Sequence, residues 1–122
     1  MTTTEIANKL VNLCRQGKDH EARALYAADA VSVEAMMPPG MDPVSRGLAA
    51  IAAKGKWWYD NHVIHSVVVA GPWPHGDRFI VGFKMDITLK STGQRSTMEE
   101  MGLYTVKDGK IVREEFFYNA GG

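Results

Sequence analysis

The sequence predicts an α+β fold: a curved antiparallel sheet wrapped as a cone around one long helix, with two short helices at the N-terminal end. Three observations predict it. Helical spacing of apolar residues is confined to the first half of the chain, and strand-like alternation dominates from Ile64 onward. The four strand candidates of the second half are joined by short turns. A run of helices followed by a run of strands makes an antiparallel sheet. A twisted sheet that curls against a long helix makes a cone.

From Glu5 to Gln16, Ile6, Leu10, Leu13 and Cys14 recur at helical spacing, and Gly17 is a C-terminal stop. Asp19 can cap a second short helix to about Tyr26, with His20 and Glu21 in its first turn. Ala30 to Glu34 reads as a short strand, and Met36 to Pro43, with three prolines and a glycine, as a loop. The long helix starts near Ser45 or Gly47 and runs to Asn61, with Leu48, Ile51, Ala52, Gly55 and Trp58 on one face and Trp57 on its flank. Ile64 to Ala70 is a strand, and Gly71 to Asp77 a turn. Arg78 to Leu89 alternates Phe79, Val81, Phe83, Met85, Ile87 and Leu89 against Ile80, Gly82, Lys84, Asp86 and Thr88. After the turn Ser91–Gln94, Thr97 to Val106 is a strand. The Lys107–Lys110 hairpin turn leads into the last strand, Ile111 to Tyr118.

The chain of 122 residues fits one domain, 1–122, with a core of ordinary size. Fourteen basic and fourteen acidic residues give zero formal charge, which argues against nucleic-acid and anionic-membrane partners. Apolar stretches fall far short of the ~20 residues that span a bilayer. The first residues lack the basic and apolar regions of a signal peptide, so a cytoplasmic location is expected. The single Cys14 has no internal disulfide partner and is expected to be a small core residue.

Three segments carry a family resemblance. Ala24-Leu25-Tyr26-Ala27-Ala28-Asp29-Ala30-Val31 resembles the helix-to-strand junction of the nuclear transport factor 2-like superfamily, which includes SnoaL-like and ketosteroid isomerase-like domains. Arg46-Gly47-Leu48-Ala49-Ala50-Ile51 resembles the start of its long helix, and Tyr104 to Val112 its last hairpin. The resemblance spans almost the whole chain and implies a cystatin-like α+β roll with one apolar, ligand-sized pocket. It says little about activity, because this fold hosts enzymes, binders and assembly subunits.

The resemblance also implies positions for chemistry. Glu34 falls where ketosteroid isomerases carry a general base, which moves a proton at a carbon next to a carbonyl. Leu10 and Gly102 fall where those enzymes carry an oxyanion-hole tyrosine and a neutral aspartic acid, so two of the three groups are missing. SnoaL-like cyclases resemble this fold too, with a His and an Asp at positions that here are Gly102 and Phe116.

What remains is a carboxylate pair. Alternation puts Met98, Glu100, Gly102, Tyr104 and Val106 on one strand face. The resemblance of the last hairpin implies that this face looks into the cavity, so Glu100 would stand opposite Glu34 in an apolar cone. Burial and mutual repulsion would then raise at least one of their pKa values. Three alternatives are open: Glu99 faces inward instead, Glu100 pairs with Arg46 or Lys54, or Glu34 is solvated at its strand end. Glu114 shares an inward face with Phe116 and Tyr118, and three acids around one cavity would suit a cationic ligand or a metal. Tyr26, Trp58, Phe83, Met85, Tyr104, Glu114 and Phe116 are the expected substrate-binding set, and Met36, Met37 and Met41 a candidate lid. His62 and His65 straddle a helix-to-strand junction without a metal-binding pattern, and His20 and His75 read as solvated. Neither a metal nor a cofactor is expected.

The expected ligand is small and apolar or aromatic. The expected function is acid/base isomerisation, cyclisation or dehydration through a pocket carboxylate. The alternative is a non-catalytic binding or dimerisation module of the same fold. Lys84, Asp86 and Thr88 face away from the pocket, on the convex face through which members of this superfamily commonly form homodimers.

Overall fold

A computed structural model describes residues 1–118. Helix α1, Thr3–Arg15, opens on a reciprocal cap: Thr2 Oγ1 accepts from the Glu5 amide at 3.1 Å, and Glu5 Oε1 accepts from the Thr2 amide at 3.0 Å. Its inner face buries Ile6, Ala7, Leu10 and Val11, while Leu13 and Cys14 are half-buried beside them. At its C-terminal end the Arg15 guanidinium donates to the Val69 carbonyl at 3.0 Å and fastens the helix to the sheet.

The second helical segment is a single 3-10 turn, Glu21–Leu25. His20 rather than Asp19 occupies its cap position, and no side chain caps it. The Asp19 carboxylate is instead taken by the Tyr59 hydroxyl of the long helix. Because this turn ends at Leu25, strand β1 begins earlier than the sequence suggests and spans Tyr26–Val33. A three-residue strand, β2 (Val44–Arg46), follows the proline-rich loop and pairs antiparallel with β1. Helix α2 covers Leu48–Asn61. Strands β3 (His62–His75), β4 (Arg78–Leu89), β5 (Gln94–Lys107) and β6 (Lys110–Phe117) complete one sheet in the order β2-β1-β6-β5-β4-β3. All neighbours are antiparallel except β1 and β6, which run parallel.

The Gly71–Pro74 segment, expected as a turn, lies inside β3. The strand absorbs it as an irregularity between the pairs Ala70–Gly82 and Trp73–Ile80, and the true turn is Gly76–Asp77. Gly71 is needed there, because its φ of +101° is rare for other residues and a Cβ would lie 3.0 Å from the Trp73 ring. The last hairpin turns at Asp108 and Gly109, both at positive φ, as a two-residue turn of the primed type requires.

The packed core lies at one end of the cone, where α1 and the 3-10 turn meet β3, β4, β5 and β6 around Ile6, Leu10, Phe79, Val81, Tyr104 and Ile111. Helix α2 is different. Its one buried residue is Ile51, and its other inward side chains are half-buried. They face a space rather than a packed wall, and that space is the candidate site.

Candidate functional site

The cone encloses a cavity of about 880 Å³ between α2 and the concave face of the sheet, within the size range of small-molecule sites. Period-two alternation aims β4 and β5 into it: Phe83, Met85 and Leu89 from one strand, Met98, Glu100 and Tyr104 from the next. Glu114, Phe116 and Tyr118 enter from the last strand and its end, and Tyr26 and Glu34 from the two ends of β1. Helix α2 contributes Ile51, Lys54, Trp57 and Trp58. Each of the nine residues singled out in the sequence therefore lines this one space. Met36 and Met37 border it as well, whereas Met41 is exposed and takes no part.

Lys54 organises the polar end. Its ammonium is 2.9 Å from Glu34 Oε1, donates to the buried Ser32 hydroxyl, and lies 5.3 Å from the centroid of the Phe116 ring. Tyr118 completes this end: its hydroxyl is 3.0 Å from Glu34 Oε2 and 2.9 Å from the Met36 carbonyl, and it accepts from the Met36 amide at 3.3 Å. The end of β6 thus holds the Met36–Met37 segment against the cavity.

Glu114 is 5% exposed and accepts a 2.5 Å hydrogen bond from the Tyr26 hydroxyl. Burial raises its pKa, while bonds from Tyr26 and Ser32 and the charge of Lys54 work against the rise. Burial also drives both tyrosine hydroxyls nearby, Tyr26 and Tyr104, well above their ordinary values, so both stay protonated donors.

Glu100 is set apart from these networks. Glu99, its neighbour, points outward toward Lys84 at 3.7 Å and is 73% exposed, and Lys54 pairs with Glu34 rather than with Glu100. Desolvation lifts the Glu100 carboxyl to about 7, the charge on Glu34 adds to the rise, and Lys54 opposes it. No hydrogen bond contributes to that shift. Among the described residues no side-chain polar atom is both fully enclosed and unpartnered, so the Glu100 oxygens open onto the cavity. A carboxyl that is half ionised near neutrality can both accept and return a proton.

The remaining candidates separate. The His62 ring stacks on Trp58 at 3.8 Å between centroids, with Nδ1 2.9 Å from the Trp58 carbonyl, while His65 meets the Thr88 hydroxyl at 2.7 Å. Among the described residues no three His, Cys, Asp or Glu side chains converge as metal ligands would. Burial pushes the Cys14 thiol up to about 12, which keeps it protonated and unreactive. At Gly102 the space of an acidic side chain is already filled: a Cβ there would sit 2.8 Å from the Tyr104 ring. Leu10 is buried in the core at 2% exposure.

Helix α1, a central helix and a six-stranded curled sheet around an apolar cavity define a cone of the nuclear transport factor 2-like kind. The chain belongs to the SnoaL-like domain family, whose model matches residues 1–118. A structure from Mesorhizobium loti, provisionally named a SnoaL-like polyketide cyclase, is 47% identical; the match covers 97% of this chain and 100% of that one, with a TM-score of 0.90. TerC co-crystallised with polyporic acid is 18% identical, over 96% of this chain and 91% of that one, at a TM-score of 0.71. A protein of ketosteroid isomerase-like fold from Catenulispora acidiphila, in complex with trimethylamine, is 16% identical over 98% and 88%, at 0.73. A comparison with curated proteins returns no match. Among the described residues no helix is long and apolar enough to cross a membrane.

Proposed function

We propose that this protein takes a small, largely apolar or aromatic molecule into the cone and moves a proton on it, with Glu100 as the proton-transferring group. The observation behind this reading is the Glu100 carboxyl, which lines the cavity without a hydrogen-bond or ion-pair partner among the described residues and which burial lifts to about 7. As a carboxylate it would take a proton from a carbon beside a carbonyl, and the electron pair would move onto the carbonyl oxygen. As the acid so formed it would return the proton at another atom, completing an isomerisation or assisting a cyclisation or dehydration. Lys54, the one lysine lining the cavity, would counter the negative charge that develops on the oxygen. Glu34 takes a supporting role, since its two oxygens already meet Lys54 and Tyr118. Family membership supports small-molecule binding, and the structures with polyporic acid and with trimethylamine show that proteins of this fold take small organic molecules.

A second reading, a binding module without catalysis, draws on Leu10 and Gly102, where the isomerase groups are missing. The probe 5-nitrobenzisoxazole separates the two, because a base that removes its ring C–H proton breaks the N–O bond and releases a coloured phenolate. The acid/base reading expects turnover that rises through pH 7 and falls at least 100-fold in Glu100→Gln. Probe binding in the cavity with equal turnover in both proteins would establish the binding module instead.

The protein also forms a homodimer through the convex sheet face in this reading. Trp73, Ile80, Met101 and Phe117 are 52%, 39%, 45% and 52% exposed there. Strand register joins them into one patch, with Trp73 beside Ile80 and Met101 beside Phe117.

A further inference from the structure

Outside the cavity, a second depression of about 420 Å³ lies between the Gly17–Arg23 segment and α2. Gly17, Asp19, Arg23 and Tyr59 line both spaces, so the depression is continuous with one mouth of the cavity. It holds three basic side chains, His20, Arg23 and Lys56, against one acid, Asp19. Asp19 is engaged by the Tyr59 hydroxyl, and Lys56 by Asp60 at 2.6 Å. Arg23 is half-buried and, among the described residues, has neither a carboxylate nor a carbonyl partner for its guanidinium.

The seat of that guanidinium is built into the helix. A Cβ at position 55 would lie 2.8 Å from Arg23 Nη2, so the arginine crosses α2 where Gly55 leaves room for it. Glycine in a helix interior is less favourable than alanine; at position 55 it is what lets an unpaired arginine lie at the rim of the cavity. A partly desolvated guanidinium presents a planar fork of N–H donors that matches a carboxylate in two parallel hydrogen bonds.

We propose that Arg23 anchors the carboxylate of an amphipathic ligand whose apolar body occupies the cavity, with Lys56 and His20 flanking the same group. This rests on the reading of the cavity as a small-molecule site and narrows its ligand to a small apolar acid. The anion stays in the depression, where three basic side chains stand against one acid that the Tyr59 hydroxyl already engages.

The test compares 2-naphthylacetate with the neutral, nearly isosteric 2-naphthylacetamide by calorimetry, with methionine-methyl NMR shifts reporting entry into the cavity. The acid is expected to bind at least tenfold more tightly than the amide, and the preference to shrink as salt rises. In Arg23→Gln the preference falls below threefold while amide affinity is unchanged. Gly55→Ala, which keeps the charge but displaces it from its seat, lowers the preference with the fold intact. If the amide enters the cavity and the acid gains nothing, or if the preference survives Arg23→Gln, the anchor is refuted and the cavity reading stands. If neither compound enters the cavity, the cavity reading itself fails, and the anchor with it.

Discussion

Lys54 lies 2.9 Å from Glu34, and the two side chains are 13% and 17% exposed. This pair decides the character of the site. It takes the one lysine of the cavity and gives it to the carboxylate at the end of β1, leaving Glu100 across the cone with no cation of its own. Glu100 therefore responds mainly to desolvation, and its proton is held to about 7.

Removing the lysine tests that division. Lys54→Met leaves Glu34 without its ammonium in a half-closed site and should destabilise the fold by about 3 kcal/mol. Because Lys54 also opposes the rise at Glu100, the midpoint of any Glu100-dependent rate should move above 7. The double variant Lys54→Met/Glu34→Gln should recover part of the stability. Strictly additive losses in chemical denaturation would mean that the pair is not coupled.

The stability of the protein should carry the mark of Glu100. Its folded pKa, about 7, lies above the ordinary value of 4.5, so the folded state holds the proton over a range where the unfolded chain has released it. Stability from this group is therefore present below about pH 4.5, declines as pH rises to 7, and is flat above; the span is on the order of 3 kcal/mol. Glu114, also raised by burial, adds in the same direction. Subtracting the profile of Glu100→Gln from that of the wild type isolates the effect. The variant should be the more stable protein at pH 8, and a difference profile flat between pH 4.5 and 7 would refute the assignment.

Tyr118 ties the Met36 backbone to Glu34 at the mouth. Tyr118→Phe removes these bonds but keeps the ring. A stability loss of about 1 kcal/mol is expected, together with faster release of a cavity-bound ligand in stopped-flow displacement. Unchanged release rates would show that this segment does not gate the cavity.

On the convex face, Met101 lies against Gly82, its sulfur 3.2 Å from where a Cβ there would stand. Met101→Lys places a charge at the middle of the apolar patch. A change at so exposed a site should alter monomer stability by less than about 0.5 kcal/mol, while sedimentation velocity should show a dimer for the wild type, as proposed, and a monomer for the variant. Persistence of the dimer would place the interface elsewhere.

Much of the fold was legible because period-two patterns are local. The alternation from Phe79 to Leu89 sets both the extent of β4 and the face it buries, and the same rule on β5 turns Glu100 inward and Glu99 out. What escaped depends on pairing between distant segments. Val44–Arg46 is too short to show a period, and becomes a strand only because Val31–Val33 lies beside it. The glycine and prolines of Gly71–Pro74 mark a turn by composition, yet the long β4 partner keeps the segment in the sheet as an irregularity. The parallel pairing of β1 with β6 has no local signature.

The site divides in the same way. Glu114, Phe116 and Tyr118 follow from alternation along one strand. Lys54 was foreseen only as a possible partner of Glu100, and its choice of Glu34 depends on how α2 is rotated over the sheet. Nothing along the chain links Arg23 to Gly55, since 32 positions of sequence separate a side chain from the gap that seats it.

The most direct test is a carbon-13 NMR titration of the Glu100 side-chain carboxyl, assigned by its disappearance in Glu100→Gln. A midpoint near pH 7, shifting upward in Lys54→Met, is the predicted result. A midpoint at the ordinary value of 4.5 would contradict the account, because Glu100 would then be a solvated carboxylate and not the proton-transferring group of the cavity.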